Sequence, residues 1–171
     1  MNGLKSTGLS RRQIYDLAER FAKTTLYEPG KTDIIKYVKT LGGKIEYTDI
    51  SKDSAGGFIS VNSQNDFTIY LSKATSHKRD VFTIAHELGH YFLHSKRGEI
   101  KITANRSGSI DDAEKEANSF AAAFLMPEEK LKKLFKEKKG NISELADAFK
   151  VSLTAMNWRC ANLGLKNEMN G

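Results

Sequence analysis

The sequence lacks most features of secreted and membrane-spanning proteins. Cys160 is its single cysteine, so no internal disulfide bond can form, which is typical of a reducing compartment. No apolar run approaches the roughly 18 residues that a transmembrane helix needs, and residues 1–10 have no apolar segment of the kind found in signal peptides. We therefore expect a cytoplasmic protein in which Cys160 is a buried, small apolar side chain.

The composition is that of one soluble domain. The chain has 171 residues, of which 39% are hydrophobic and 28% are charged, enough for one modest core. It shows no internal repeat and no low-complexity segment. We expect a single domain over residues 10–165, with flexible polar tails at residues 1–9 and 166–171.

The chain is basic, and much of the excess charge lies in one segment. There are 27 lysines and arginines against 21 acidic residues, giving a net charge of +6. Residues 130–139 carry six lysines around a narrow apolar face of Leu131, Leu134 and Phe135. This pattern predicts an amphipathic helix with a solvated lysine face. The alternative is a surface that attracts an acidic partner or DNA.

The strongest chemical signal is the pentapeptide His86–His90, which reads H-E-x-x-H. Ile84, Leu88 and Tyr91 recur at the spacing of a helix with one apolar face. Two histidines four residues apart lie on the same face and can bind one zinc ion, while Glu87 can activate a water molecule there. The pattern indicates a zinc peptidase. The alternative is a surface helix that carries two histidines by chance.

A catalytic zinc site needs a third protein ligand and an open position for water. The metzincin extension of the motif would place glycine and histidine where this chain has Leu93 and Lys96, so that class is excluded. His94 is a rival ligand, but it lies eight residues after His86 and is rotated by about 80° around an ideal helix. We expect His94 at the rim of the site.

A second helix, predicted downstream, offers better candidates for the third ligand. Glu114 and Asn118 are one turn apart, as expected of a carboxylate ligand with a hydrogen-bonding partner nearby. Glu116 points about 200° away from Glu114, so the two cannot both bind, and we prefer Glu114. The alternative is that both are ordinary acidic residues of a first helical turn.

The limits of this helix are marked in the sequence. Asp111 or Asp112 can cap its start and Pro127 ends it. Its apolar stripe consists of Ala117, Phe120, Ala121, Phe124 and Leu125.

The N-terminal half predicts two helices followed by strands. Ser10 caps a first helix that extends to about Thr25, and Thr32 or Asp33 begins a second one that ends at the glycine pair 42–43. Residues 44–47 alternate as a short strand, and residues 56–62 and 67–71 form a hairpin. We expect residues 57–62 to form an edge strand near the metal, able to pair with a substrate peptide.

Residues 141–165 resemble a helix-turn-helix, with Ser152 capping the second helix. That helix offers Thr154, Asn157 and Arg159 to DNA, fewer polar groups than a helix that reads bases is expected to present. Nucleic-acid binding through these C-terminal helices is the alternative to a purely structural role.

The motifs together resemble one family. Residues 82–90 are similar to the FTxAHELGH signature of the ImmA/IrrE metallopeptidases, and residues 114–127 resemble its second motif, E-x-x-A-N-x-F-A-A-x-L-L-M-P. Phe124 replaces the first leucine of that LLMP ending. The resemblance implies a small gluzincin-like α+β fold, mostly helical, with a short three-stranded, mainly antiparallel sheet. It also implies that the C-terminal helices belong to the peptidase body.

The same resemblance implies a function. The chain would be a zinc endopeptidase that cleaves a helix-turn-helix (XRE-type) transcriptional repressor, relieving repression in a phage or mobile element. His86, His90 and Glu114 would be the zinc ligands and Glu87 the general base. Tyr91, His94 and His77 are candidates for assisting the oxyanion, each also explicable as structural. The alternative functions are a non-catalytic repressor-binding protein and a DNA-binding regulator.

Overall fold

The computed structural model describes residues 4–50, 56–104 and 112–166, which form seven α-helices, one π-helical turn and four strands. The helices are α1 (Arg11–Thr24), α2 (Ile34–Thr40), α3 (His77–Gly89), α4 (Asp112–Leu125), α5 (Glu128–Glu137), α6 (Ile142–Phe149) and α7 (Leu153–Asn162). The strands are β1 (Gly43–Thr48), β2 (Gly57–Ser63), β3 (Asp66–Ser72) and β4 (Ile102–Ala104), and the π turn is His90–His94.

The predicted starts of the first two helices are confirmed. Ser10 caps α1 in a reciprocal capping box with Gln13, which satisfies two backbone N–H groups at the helix start. Asp33 caps α2 by accepting from two backbone N–H groups of the first turn. The helix before Pro127 also ends as predicted, whereas Asp111, a candidate cap for it, lies outside the described residues, as do residues 1–3 and 167–171 of the predicted tails.

The sheet differs in part from the prediction. The hairpin of β2 and β3 is antiparallel as expected, but the sheet has four strands in the order β1-β3-β2-β4, and β1 pairs in parallel with β3. The prediction of three strands is therefore wrong in strand number, whereas the sheet is mainly antiparallel as predicted, with two antiparallel pairs and one parallel pair. The missing strand, β4, is three residues long, too short to show a period-two pattern in sequence.

The prediction of an edge strand at residues 57–62 is also wrong. Ile59 to Val61 pair with β4 on the side facing away from β3, so β2 is an inner strand over these residues. The outermost strand on this side is β4. The error has the same origin, because an unrecognised strand leaves its neighbour looking like an edge.

The core lies between the sheet and α3, and between α4 and α1. The inward side chains of β2 and β3 are almost completely buried, as are Ile84 and Leu88 of α3. Aromatic rings attach α1 and the segment before α2 to this core, with the Phe21 ring stacked on Phe92 and the Tyr27 ring stacked on Phe124. The result is an α+β fold in which α3 and α4 lie side by side in the interior.

The C-terminal segment forms two helices, α6 and α7, separated by a short turn. Lys150 takes a left-handed conformation after α6, and Ser152 caps α7. Arg159, however, is fully buried, with its Nε donating to the carbonyl of Met126 and its guanidinium stacked on the ring of Tyr15. Arg159 thus attaches α7 to the rest of the domain and is not available for a DNA contact.

Two further predictions concern Cys160 and the lysine-rich segment at residues 130–139. Cys160 is buried, as expected. The lysine-rich segment forms α5 with Leu131 in the core and its lysines largely exposed, the predicted amphipathic helix. Among the described residues, no helix has the length and apolarity needed to cross a lipid bilayer.

Candidate metal centre

The two histidines of the pentapeptide lie together on α3 and on the first position of the π turn. His86 and His90 are 0% and 1% exposed, and their Nε2 atoms are 3.1 Å apart. The predicted helix thus places both imidazoles on one face with the same nitrogen directed to a common point. That arrangement is the one a shared metal ion requires.

Helix α4 brings Glu114 to the same point. Its Oε2 lies 3.1 Å from Nε2 of His86, and its Oε1 lies 3.1 Å from Nε2 of His90. A tetrahedral ion with bonds of about 2.0–2.1 Å would separate its ligand atoms by about 3.3 Å. Two imidazole nitrogens and one carboxylate oxygen at this spacing fit a zinc ion and leave a fourth position for water.

The environment keeps Glu114 ionised. Burial alone would raise the pKa of this carboxyl, but hydrogen bonds from His86 and His90 outweigh burial and hold the pKa well below its usual range. Since a metal binds the deprotonated carboxylate, Glu114 is in the form that ligation needs.

Asn118 lies one turn after Glu114 and reaches the other side of His86. Its Oδ1 is 2.8 Å from Nδ1 of His86. With a metal at Nε2, the proton of His86 is on Nδ1, so the ring donates to the amide oxygen. Asn118 therefore accepts a hydrogen bond from one of the two histidines of the motif.

Glu87, the predicted general base, follows His86 on α3 and is 1% exposed. Acidic side chains are rarely buried to this extent. Its position on α3, directly after His86, follows from the order of residues in the H-E-x-x-H motif.

Glu116 faces away from the group of His86, His90 and Glu114. Its carboxylate accepts from the backbone N–H of Thr7 at 2.9 Å, from the Thr7 hydroxyl at 2.9 Å and from the N–H of Gly8 at 3.0 Å. Burial alone would raise its pKa, but the hydrogen bonds from Thr7 and one from His94 lower the pKa overall. Of the two glutamates considered as a third ligand, the structure brings Glu114 to the histidines.

His94 is not at the rim, and that prediction is wrong. Its side chain is 1% exposed, its Nδ1 lies 2.9 Å from Nδ1 of His90, and its Nε2 lies 2.9 Å from Oε2 of Glu116. The cause is the π turn, in which the N–H of Ser95 donates to the carbonyl of His90, five residues back. This wider turn changes the rotation per residue, so extrapolation along an ideal α-helix fails after His90.

The three candidates for oxyanion assistance have different surroundings. Tyr91 is 1% exposed, stacks on Phe67 and accepts a hydrogen bond from the backbone of Asn65. His77 begins α3, about 13 Å along the helix axis from His86. The buried positions of Tyr91 and His94 are explained by a structural role, whereas His77 is exposed.

A groove of about 660 Å³ adjoins the metal centre between α3, α4 and α7. Its lining includes the polar residues Asn118 and Thr83 and the aromatic residues Phe82 and Trp158. Trp158 is 40% exposed, a large exposed fraction for a tryptophan. Sequence reasoning missed this groove, because only the fold brings α7 beside α3. The remaining lining residues are Arg79, Ser152, Thr154 and Ala155.

Comparison with known proteins identifies the family of the chain. Residues 39–161 match the model of the family Peptidase_M78, described as the IrrE N-terminal-like domain. The chain is 27% identical over 112 residues to the metallopeptidase ImmA of Bacillus subtilis (strain 168), an alignment covering 64% of this chain and 65% of that protein. The chain therefore spans slightly less than two thirds of that relative.

A solved structure shares the fold. The chain resembles a transcriptional regulator of Mycobacterium tuberculosis with a TM-score of 0.62 and 17% identity, covering 88% of this chain and 46% of that one. The family match extends over more than two thirds of the sequence and includes the pentapeptide, Glu114 and the C-terminal helices. The chain belongs to the ImmA/IrrE family of metallopeptidases.

Proposed function

We propose that the protein is a zinc-dependent endopeptidase that cleaves a helix-turn-helix transcriptional repressor and so relieves repression. The observation that carries the proposal is the cluster of His86, His90 and Glu114, whose ligand atoms all lie within 4.8 Å of one another. Glu87 follows the first of them on the same helix. Family membership supports a peptidase that uses a metal and acts on protein.

Each residue of the site has a distinct task. His86, His90 and Glu114 would hold the ion, which when bound supplies the Lewis acidity that activates water and polarises a carbonyl. Glu87 accepts the proton of the attacking water and passes it to the nitrogen of the leaving amine. Asn118 holds His86 in the orientation and tautomer that leave Nε2 free for the ion.

The groove beside the site accounts for substrate binding. It lies next to the metal centre, because Asn118 contacts His86 and also lines the groove. A side chain of the substrate next to the cleaved bond would pack between Phe82 and Trp158. Arg79 at the groove would favour an acidic group on the same peptide.

The identity of the substrate rests on family resemblance. The family motifs imply a repressor of the helix-turn-helix class, and the structural relative in Mycobacterium tuberculosis is itself a transcriptional regulator. No other class of protein substrate is favoured by a feature of the site.

The decisive experiment incubates the purified protein with the helix-turn-helix repressor encoded beside its gene. Wild-type protein is expected to produce discrete repressor fragments, and a chelator is expected to stop their appearance. Glu87→Gln is expected to retain zinc, measured by atomic emission, and to lose cleavage. Cleavage by Glu87→Gln at the wild-type rate would contradict the mechanism. Relief of repression by that variant without cleavage would favour simple sequestration of the repressor.

A further inference from the structure

We propose that His94 and Glu116 form a positioning relay that fixes the tautomer and orientation of His90 as a metal ligand. The proposal rests on the metal site of the proposed function. It assigns a role to two buried polar residues that the reaction itself does not use. Neither belongs to the group of His86, His90 and Glu114, and both lie behind His90 as seen from that group.

The relay is a continuous line of hydrogen-bonding groups. Nδ1 of His90 lies 2.9 Å from Nδ1 of His94, and Nε2 of His94 lies 2.9 Å from Oε2 of Glu116. The side chains of His90, His94 and Glu116 are 1%, 1% and 8% exposed. Water therefore has little access to these atoms, and each group must find its hydrogen-bond partner inside the protein.

The direction of every link follows from the first one. A metal on Nε2 of His90 requires its proton on Nδ1, which makes His90 a donor to His94. Nδ1 of His94 must then accept, so the proton of the neutral His94 ring is on Nε2. That proton is directed at Glu116, whose carboxylate can only accept. A single arrangement of protons thus satisfies the whole line.

Glu116 is a fixed end for this line. Thr7 donates to it twice, from its backbone and its hydroxyl, and the backbone of Gly8 donates once. Three donors from the N-terminal segment hold the carboxylate in place and confirm that it acts as an acceptor. Thr7 and Glu116 are 109 positions apart in sequence. The relay therefore also connects the N-terminal segment to the metal centre.

The two histidines of the motif are therefore oriented differently. His86 is held by one neutral amide, Asn118. His90 is held through a second imidazole that ends on a carboxylate, and a charged acceptor makes the imidazole before it a stronger acceptor in turn. The His90 and His94 rings are four residues apart, and their centroids lie 4.9 Å apart.

The test compares three variants with wild-type protein by two measurements that need no substrate. The first is zinc affinity by competition with a chromogenic chelator, and the second is the visible absorption spectrum of the cobalt(II)-substituted protein. His94→Leu removes the acceptor, and we expect zinc affinity to fall about 10-fold to 100-fold with a changed cobalt spectrum. Glu116→Gln presents an amide N–H₂ to the donors it faces, and we expect a similar loss.

His94→Gln is the conservative rescue. Its amide oxygen can accept from His90 while its N–H₂ donates to Glu116, so we expect zinc affinity within a few-fold of wild type. Glu129→Gln, the same change at an exposed position in the first turn of α5, is the matched control and is expected to leave both measurements unchanged. Wild-type affinity and spectrum in folded His94→Leu would overturn the relay.

A measurement on wild-type protein covers the case in which His94→Leu does not fold. Nitrogen-15 NMR of the zinc-loaded protein is expected to show His94 as the Nε2–H tautomer and His90 as the Nδ1–H tautomer. His94 protonated on Nδ1 would overturn the proposal. These outcomes are separate from the proposed function: loss of cleavage in Glu87→Gln can hold while the relay fails, whereas wild-type protein that binds no zinc would overturn both.

Discussion

A methyl group added at Gly89 would lie 3.1 Å from the Cα atom of Ala117 and 3.2 Å from its carbonyl oxygen. This close approach of α3 and α4 brings the helix of the two histidines against the helix of Glu114 and Asn118. The glycine inside the H-E-x-x-H pentapeptide therefore has a packing role, which offsets the roughly 1 kcal/mol of helix propensity that it costs.

Gly89→Ala is expected to weaken zinc binding and to lower the free energy of unfolding by about 1–3 kcal/mol, because the close atoms belong to the backbone and α4 must move as a unit. Chelator competition and chemical denaturation measure the two effects. Adding Ala117→Gly is not expected to restore zinc binding or stability, since the atoms of Ala117 that lie close to the new methyl group are its Cα and its carbonyl oxygen, not its side chain. A more stable Gly89→Ala protein with normal zinc affinity would show that α4 moves freely.

Asn118→Leu is expected to reduce zinc affinity about tenfold, because His86 loses the acceptor for its Nδ1 proton. Asn118→Asp keeps an oxygen in that place and is expected to retain most of the affinity. Asn62→Ala, an exposed position on β2, serves as the control. Equal affinities in Asn118→Leu and Asn118→Asp would mean that the hydrogen bond does not orient His86.

Trp158→Ala is expected to raise KM for repressor cleavage by about tenfold, with zinc content unchanged, because it removes one wall of the groove without touching a ligand. Leu153→Ala is the matched control: Leu153 is also on α7 and is 54% exposed, but it does not line the groove. The kinetics would be followed by fragment formation on gels. An equal effect of both changes would place the substrate elsewhere.

Alkaline pH is expected to unfold the protein through its buried tyrosines. Burial raises the pKa of Tyr37 to about 12 and also raises the pKa of Tyr27. The folded state keeps these protons while the unfolded chain releases them near pH 10. The stability that comes from keeping these tyrosines protonated is thus fully present below pH 10 and is lost as pH rises toward 12. For Tyr37 this loss is roughly 2–3 kcal/mol.

Denaturation curves at several pH values would measure this loss, with tyrosinate absorbance followed in parallel. Tyr37→Phe is expected to be less stable at neutral pH, where it lacks the hydrogen bond to Thr25, and to have a flatter profile between pH 10 and 12. A profile parallel to wild type would assign the alkaline loss to other groups.

Local signals in the sequence predicted much of the fold. Ser10, Asp33 and Ser152 mark helix starts through caps that involve neighbours in sequence, and the β2–β3 hairpin follows from alternation around a polar turn. The three-residue β4 and the parallel pairing of β1 with β3 depend on distant partners. No pattern within either segment specifies them.

The same division applies to the site. The spacing of His86 and His90 on one ideal helix, and of Glu114 and Asn118 on another, was enough to predict the three candidate ligands His86, His90 and Glu114. The predicted position of His94 was wrong because the helix changes its hydrogen-bonding pattern after His90. No sequence pattern in residues 90–94 predicts a π turn. The contact of Glu116 with Thr7 joins two segments that are 109 residues apart in sequence, and no pattern around either residue predicts the other.

The π turn also limits how this chain can vary in length. A turn closed by a bond to the fifth residue holds one more residue than an α-helical turn, so deleting one residue between Tyr91 and His94 would let α3 continue as regular α-helix. The helix would gain regularity, yet the histidine after the deletion would rotate away from His90 and Glu116. A substitution in this stretch leaves the number of residues between His90 and His94 unchanged. An insertion or deletion changes that number and so changes how the two imidazoles are placed relative to each other.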